Sequence, residues 1–575
     1  MVDHHTDTAC NQPDKPRTAA FATTLGIALA AVAAAYYGNM DFGFLGDARF
    51  LLEHNAFLRE WSTWSDQLTH DYFWSSSGNT IPYWRPWTKL GWLAETQLLG
   101  GSAAGYHAVQ IALHLAACAA VGALVVTLGG GPVAAGCGAV LFGLGPSAVE
   151  PVSLLMARSD VTAAFASIAV LVSWHRWTSG HRRWLGPHIA LLVLALGSKE
   201  TSVVLLPAIS LWGAARVWLQ GADRKQIGAS LLPTLIVVIA ALSLRSAVLS
   251  DRPGPSIVAD PLRIVVGAGR YLAALVPMQF ETGLRNFGYD EAASPSALVA
   301  ALAAISVFGG LVVAAVRRRD ADAFGVLMWL AGTIAPVLLV EQMNVPNVEG
   351  KFPLADRWLL QASAASSALI AARWARIVPG QLTRLGPAIV GLWAVAGIVM
   401  APTSHGMYAS EIALLDKEDL DFESIPKEFR SREDACRFID RQIVRGVAKR
   451  DWVVVLKATE SSDCPPDALR QFNRLSALSA TKQWPAAAKL AGQLLAVPTA
   501  DTRHVAMLHH LRGRALLQLR RAAPAVSDLE QARKMGLTSC RLLHELGLAH
   551  GANGDRKQAS RWMSQARMCL TQRHH

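Results

Sequence analysis

The sequence predicts an all-α protein in two parts: a polytopic helical membrane domain of about eleven spans, then a soluble domain of paired helical repeats. Three observations predict it. Of 575 residues 52% are hydrophobic and only 17% charged, and the apolar residues gather into long runs. A membrane crossing takes roughly 20 largely apolar residues. Nearly all of these runs lie before residue 403, after which charges return at ordinary soluble density. In the last part small residues recur at a spacing of 34, as helix–turn–helix repeats do.

Residues 1–19 are polar and read as a cytoplasmic N-terminal tail. The first apolar run, about Thr18 to Tyr37, is long for a signal-peptide core and lacks a convincing cleavage site, so a retained first span is expected. Residues 38–104 then form a large outer loop within a membrane domain running from 20 to 402. Further apolar segments follow at about 105–127, 133–149, 160–175, 184–197, 201–215, 228–249, 264–278, 296–316, 323–341, 357–372 and 385–402. Short basic clusters punctuate them: Arg182-Arg183, Arg224-Lys225, Arg317-Arg318-Arg319, and Arg373 with Arg376. Such clusters mark cytoplasmic loops, and they account for the net charge of +11 without nucleic acid. Two topologies give eleven spans. In the preferred one, 184–197 and 201–215 are separate short spans broken at Gly197-Ser198-Lys199-Glu200, and 264–278 lies in the interface. In the other they form one long span and 264–278 crosses. Both leave the carboxyl-terminal tail outside.

Residues 403–469 read as a connecting segment and 470–575 as repeats. Gly513 and Gly547, Ala515 and Ala549, Ala525 and Ala559, Ala532 and Ala566, and Arg533 and Arg567 are each 34 apart, the tetratricopeptide period. Leu475 to Val497, with Trp484-Pro485-Ala486, reads as a degenerate earlier copy; an unrelated helical bundle is the alternative. Seven cysteines divide as Cys10, Cys118 and Cys137 in the membrane half and Cys436, Cys464, Cys540 and Cys569 in the tail. Four in an extracytoplasmic tail permit two disulfides, with the pairing open.

Ionisable residues near a membrane interface point to function. The outer loop holds Asp41, Asp47, Glu53, Asp66, Asp71 and Arg85 among Trp61, Trp64, Trp74, Trp84, Trp87 and Trp92. Those rings suit an interfacial belt or stacking on sugar faces, the belt being the commoner use. Three shorter outer segments add Glu150 with Arg158 and Asp160, Lys199 with Glu200, and Asp356 with Arg357. Cations and carboxylates on one face fit a reaction on a phosphate-bearing lipid, the cations holding phosphate and a carboxylate taking a hydroxyl proton. Each also has a plainer reading. Asp47 suits a helix cap; Arg158–Asp160, Asp356–Arg357 and Lys199–Glu200 suit local ion pairs; His107 and His114, seven apart on one helical face, suit packing better than metal binding. Zinc spacing, a glycine-rich phosphate loop and a serine–histidine–acid motif do not stand out in the tail.

The landmarks resemble, in order, membrane glycosyltransferases of the GT-C class, especially the transmembrane and tetratricopeptide-containing protein O-mannosyltransferase group. They are Asp41-Phe-Gly-Phe-Leu-Gly-Asp47, His70-Asp71-Tyr-Phe-Trp74, Tyr83-Trp-Arg85-Pro86, Gly105-Tyr106-His107 with His114, Glu150-Pro-Val, Ala157-Arg158-Ser159-Asp160, Ser198-Lys199-Glu200, Arg270-Tyr271-Leu272 and Ala355-Asp356-Arg357-Trp358. The likeness covers about residues 20–375 and the repeat tail. Glycine and serine at 145 and 147 stand where that group has histidines, and Ala48 follows Asp47 where many relatives have a second acid.

The resemblance implies a GT-C-like membrane fold and an inverting transfer of a mannose-like hexose from a polyprenyl-phosphate carrier, with protein serine or threonine as acceptor. It implies Asp47 as catalytic base. Arg158, Lys199, Arg270 and Arg357 would hold the donor phosphate, and Asp71, Arg85, Glu150, Asp160, Glu200 and Asp356 would support it or face the acceptor. Gly46 would permit close approach of lipid or sugar. A metal site is not expected, and a need for divalent metal is left open. The expected setting is a bacterial inner membrane with the repeats outside; expected partners are the carrier lipid, the acceptor and the bilayer, without nucleic acid. Two alternatives stand beside it: a cell-surface glycan or lipid as acceptor, and a non-catalytic membrane scaffold.

Overall fold

The computed structural model describes residues 15–45, 47–53, 55–73, 83–249, 261–275, 285–288, 295–339, 351–354, 356–378, 383, 385–406, 408–409, 432–460, 467–497 and 502–571. Gly46, Trp74, Ala355, Cys10 and Cys464 lie outside these residues, as do the ends of the 264–278 and 323–341 segments. The chain divides into two units, Met1–Leu414 and Leu415–His575.

Unit 1 begins with α1 (Lys15–Tyr36), followed in the outer loop by α2 (Trp64–Thr69) and α3 (Pro86–Leu99). Then come α4 (Ala103–Thr127), α5 (Pro132–Gly143), α6 (Pro146–Ser153), α7 (Arg158–Thr178), α8 (Leu185–Ser198), α9 (Leu205–Gln220) and α10 (Arg224–Val248). The rest are α11 (Pro261–Ala273), α12 (Pro295–Arg317), α13 (Ala321–Leu339), α14 (Asp356–Ile377) and α15 (Leu385–Gly406). Their starts follow sequence chemistry. The Ser102 hydroxyl accepts from the Gly105 amide at 3.2 Å to cap α4, Asp223 accepts from Lys225 at 2.9 Å to cap α10, and prolines open α3, α5 and α6. Among the described residues one feature departs from the all-α expectation. A two-stranded antiparallel ribbon pairs β1 (Arg285–Gly288) with β2 (Lys351–Leu354), Arg285 opposite Leu354.

Eight helical segments among the described residues are long and apolar enough to cross a membrane, and a ninth crossing results if α5 and α6, bent by 60°, count as one. That is compatible with a multi-pass membrane protein. The bundle has two polar ends. At one, Arg216 donates to the Thr178 hydroxyl at 2.6 Å, Trp212 to Asp322 at 3.0 Å, and Arg373 to both Asp320 oxygens at 2.8 Å and to the Leu128 carbonyl. At the other, Asn39 bridges Ser153 (3.1 Å) and His405 (3.2 Å) beside a cluster of charged side chains. Asp356 and Arg373, on one helix, mark the two ends about 25 Å apart, close to the hydrocarbon thickness.

Because Arg216 meets Thr178, the chain between them runs out to Lys199 and back. Thus α8 and α9 are two opposed limbs broken at Lys199. At the centre α14 buries Ala362, Ala364, Ala365 and Ala368 completely, and these small side chains let neighbouring helices approach closely.

Unit 2 consists of consecutive helix pairs: α16 (Arg432–Lys449) with α17 (Trp452–Thr459), α18 (Ala468–Ala480) with α19 (Trp484–Leu495), α20 (Thr502–Gln518) with α21 (Ala522–Lys534), and α22 (Cys540–Ala552) with α23 (Arg556–Thr571). The first pair lies in the segment expected as a connector, yet it packs on α18 through Ile439, Ile443, Val455 and Ala477. The 34-residue spacing has a packing basis. A Cβ on Gly513 would lie 2.8 Å from Leu529 Cγ, and one on Gly547 would lie 2.8 Å from Met563 Cγ, so each glycine sits where two paired helices touch. Ala515, Ala525, Ala532 and Ala549 are fully buried at equivalent places.

Carboxylates hold helices together, Asp528 within a pair and Glu545 between pairs. Asp528 accepts from His509 (2.8 Å) and Arg512 (2.6 and 2.7 Å), and Glu545 from His510 (2.8 Å) and Arg541 (3.1 Å). Of the tail cysteines, Cys540 and Cys569 form a disulfide, and Cys436 is also disulfide-bonded.

The Cys540–Cys569 bridge closes a loop across a sequence separation of 29, for which chain entropy gives about 3.5 kcal/mol of stabilisation. Cys540→Ser/Cys569→Ser in the full chain is therefore expected to raise amide hydrogen exchange throughout α22 and α23 while leaving unit 1 as protected as before. Unchanged exchange in both helices would contradict it.

Candidate functional site

The charged residues singled out in sequence gather at the end of unit 1 marked by Asn39 and His405, and the pairs they form run between distant segments. Asp160 at the start of α7 pairs with Lys199 at the α8–α9 break. Glu150, completely buried on α6, accepts from the Arg357 side chain and, at 3.0 Å, from the Arg357 amide at the start of α14. Glu200 accepts from Arg85 Nε (3.2 Å) and Nη2 (3.1 Å) and from the Trp84 amide (3.1 Å), while Arg85 Nη1 donates to Ser159 at 3.2 Å. The expected local pairs Arg158–Asp160, Lys199–Glu200 and Asp356–Arg357 give way to these cross-links. Adjacent residues at a helix start project in different directions, so each meets a partner from another element.

The outer loop is held onto this end by packing as well as charge. A Cβ on Gly197 would lie 2.3 Å from the Trp87 ring, whose Nε1 donates to the Val193 carbonyl at 2.9 Å. This contact seats the start of α3 beside the α8–α9 break, with Arg85 one residue from Pro86 and the Arg85 guanidinium 4.4 Å from the centre of the Tyr83 ring. Asp160, Lys199, Thr201, Thr333, Arg357 and Gln361 then line a small cavity.

Asp47 differs from the other carboxylates. It is half-buried, flanked by Leu45 and Ala48, which are buried in two separate apolar clusters, so its backbone position is fixed on both sides. Its carboxylate makes no hydrogen bond or ion pair among the described residues, which removes the helix-cap reading. Burial raises its pKa above the ordinary carboxylate value, and the charge of Arg357, near enough to act through space, offsets part of that rise. Arg357 has one Nη on Glu150, keeps its side chain 26% exposed and lines the cavity; Lys199 is committed to Asp160 but lines it too.

Other expected residues do not line this cavity. Arg158 does not line the cavity, and each of its nitrogens has an acceptor: Nε donates to Gln110, Nη1 to Glu95, and Nη2 to the Tyr106 carbonyl at 2.8 Å, leaving a side chain 3% exposed. That geometry fixes the junction of α3, α4 and α7 and presents no donor to a phosphate in the cavity. Asp71 forms a turn, accepting from the Phe73 amide at 2.9 Å, and Lys89 anchors that turn through the His70 and Asp71 carbonyls at 3.0 Å each. Arg270 is half-buried on α11; it is Tyr271 beside it, fully buried, that lies in the field of Arg357, Glu150 and Asp356. Asp356 itself is completely buried at the start of α14. His114 is packed, its Nε2 3.0 Å from the Gly143 carbonyl and its ring against Tyr36 and Phe142. His107 packs edge-on against Phe42. The tryptophans divide: Trp84 and Trp92 are buried, whereas Trp61 and Trp64 are more than half exposed.

Sequence reasoning missed Glu95 and Gln110, which hold Arg158. Glu95 carried a signal, a lone acid in the apolar α3, and burial raises its pKa against the opposing pull of Arg158. No protein-family model matches the chain, and no curated protein does.

Removing one partner of a buried pair strands the other charge, at a cost of about 3–5 kcal/mol. Arg158→Met alone is therefore expected to lower the thermal midpoint in detergent sharply, while Arg158→Met with Glu95→Gln recovers much of the loss. Additive losses in the double variant would refute the pairing.

Proposed function

We propose that unit 1 is a membrane glycosyltransferase of the GT-C class that moves a mannose-like hexose from a polyprenyl monophosphate to a serine or threonine hydroxyl of a protein. The observation that carries this reading is the division of charges at one end of the bundle: Asp47 makes no hydrogen bond or ion pair among the described residues and is raised by burial within the field of Arg357, while Arg357 and Lys199 line one cavity.

In this reaction the acceptor oxygen attacks the anomeric carbon, a carbon–oxygen bond forms, and the bond to the carrier phosphate breaks. Asp47 takes the hydroxyl proton, and the phosphate leaves with the electron pair as charge grows on its oxygens. Arg357, with donor capacity beyond Glu150, holds those oxygens, and Lys199 adds a second cation. A single displacement inverts the anomeric centre and needs one base. Arg158 acts by positioning, through Glu95 and Gln110. Arg85 and Glu200 hold the outer loop on the α8–α9 break, and Glu150 and Asp160 orient the cations.

The basic clusters belong to the opposite end of the bundle, which supports a cytoplasmic face there and the site outside. Counting α8 and α14 with the long apolar segments gives eleven crossings and a GT-C-like unit. The last helix ends beside Asn39, on the site's side, so the tail follows outside in an inner-membrane setting, where its disulfides persist. As tetratricopeptide-like repeats, the helix pairs of unit 2 would capture extended acceptor peptide.

Purified protein is to be incubated with polyprenyl-phosphate mannose and an acceptor protein extract. Asp47→Asn should cut transfer by about 10²- to 10⁴-fold. The base must be ionised, so wild-type activity should fall on acidification through a pKa above the ordinary value of about 4. Arg357→Gln, which removes the charge that lowers it, should shift that limb to higher pH. Equal transfer by wild type and Asp47→Asn would remove Asp47 from the reaction.

A further inference from the structure

A second polar feature lies at the opposite end of unit 1 and plays no part in the proposed transfer. A cleft of about 470 Å³ opens between the ends of α12, α13 and α14, bordered by Leu311, Leu327, Leu369 and Ile370 on its apolar side and by Arg318 and Arg319 on its rim.

The charges around it are unequal in commitment. Asp320 accepts from Arg373 Nε and Nη2 at 2.8 Å and from the Ala323 amide at 3.0 Å, and Asp322 is held by Trp212 at 3.0 Å and lies 3.5 Å from His175. The guanidiniums of Arg318 and Arg319, by contrast, are exposed and make no hydrogen bond or ion pair among the described residues. Their backbone is nevertheless fixed. Arg319 sits at φ 54° in the short turn between α12 and α13, where its amide donates to Val316 at 3.0 Å and that of Asp320 to Ala315 at 2.9 Å. Two cations without a bonded partner among the described residues are thus held at the mouth of the cleft, whose lining carboxylates Asp320 and Asp322 are engaged elsewhere. The adjoining face of α12 is open as well: Val307 is 66% exposed and Val313 49%.

We propose that this cleft is a binding site for an anionic phospholipid, the lipid phosphate between Arg318 and Arg319 and an acyl chain along Leu311, Leu327, Leu369 and Ile370. Charge complementarity selects the occupant. A zwitterionic headgroup brings its own cation to a rim that already carries two, and a free anion leaves the apolar wall unused. A site between helices at a basic membrane face suits anionic headgroups, each arginine near the surface adding appreciably to the attraction. The inference needs unit 1 to lie in a membrane but does not depend on the transferase reading.

The test uses delipidated full-length protein in neutral detergent, titrated with phosphatidylglycerol, phosphatidylcholine or glycerol phosphate, with thermal midpoint and lipid retention in native mass spectra as readouts. Phosphatidylglycerol should raise the midpoint and stay bound, and the other two should do neither. Arg318→Gln/Arg319→Gly, the glycine chosen because it keeps the left-handed turn without strain, should weaken phosphatidylglycerol binding about thirtyfold. Arg317→Gln, which alters an arginine outside the cleft, should bind as wild type does. Ala314→Phe, which fills the apolar wall and leaves both arginines in place, should also weaken binding. Equal shifts with phosphatidylglycerol and phosphatidylcholine, a shift with glycerol phosphate alone, or undiminished binding by the double variant would each overturn the proposal. If the double variant fails to fold, the wild-type lipid comparison and Ala314→Phe decide it.

Discussion

Burying a charge among apolar helices is costly unless an opposite charge accompanies it, and most of the charged end of unit 1 follows from that constraint. Arg158, Lys199, Glu150 and Asp160 are nearly or completely buried, and each has a partner from another part of the chain. The partners come from α3, α6, α7, α14 and the α8–α9 break, so satisfying the charges requires those helix ends to meet. Apolar packing along the bundle is nondirectional and would tolerate other registers. The ion pairs are directional, and they select the register in which Glu150 reaches Arg357 and Asp160 reaches Lys199.

The same constraint explains the break between α8 and α9. A continuous apolar helix through residues 185–220 would carry Lys199 and Glu200 in mid-span with no assurance of partners. Breaking the helix there turns Lys199 toward α7 and Glu200 toward the outer loop, and each finds an opposite charge. The Trp87 ring seated on Gly197 then fixes the loop at that point. The break is therefore a cause of the loop's position as well as a consequence of the charges.

Much of this was legible in the sequence, for identifiable reasons. Apolar runs and basic clusters report on solvent, so the helices and the two polar ends could be read from composition. The gathering of Asp47, Arg85, Glu150, Asp160, Lys199, Glu200 and Arg357 could be read from their common side of the chain. Pairing could not. Sequence adjacency suggested Arg158–Asp160 and Asp356–Arg357, but partner choice depends on the azimuth at which each helix starts, and that is set by tertiary packing. Arg158 shows the consequence: a motif position that reads as phosphate-binding is instead bonded to Glu95 and Gln110, neither of which stands near it in the chain. The 34-residue spacing was legible because it rests on close helix contacts, for which glycine at 513 and 547 is a strong local signal.

A base and a phosphate-holding cation make opposite demands on one another. If Arg357 closed onto Asp47, the carboxylate would become too weak a base and the guanidinium would lose donors for phosphate; if it lay far away, Asp47 would take its proton too readily in the resting state. Here Glu150 holds Arg357, accepting from both its amide and its side chain. The arginine acts on Asp47 through space without bonding to it. On the proposed reading Glu150 is thus as necessary as the base, because it keeps the cation near enough to meet charge on the carrier phosphate and far enough to leave the base free.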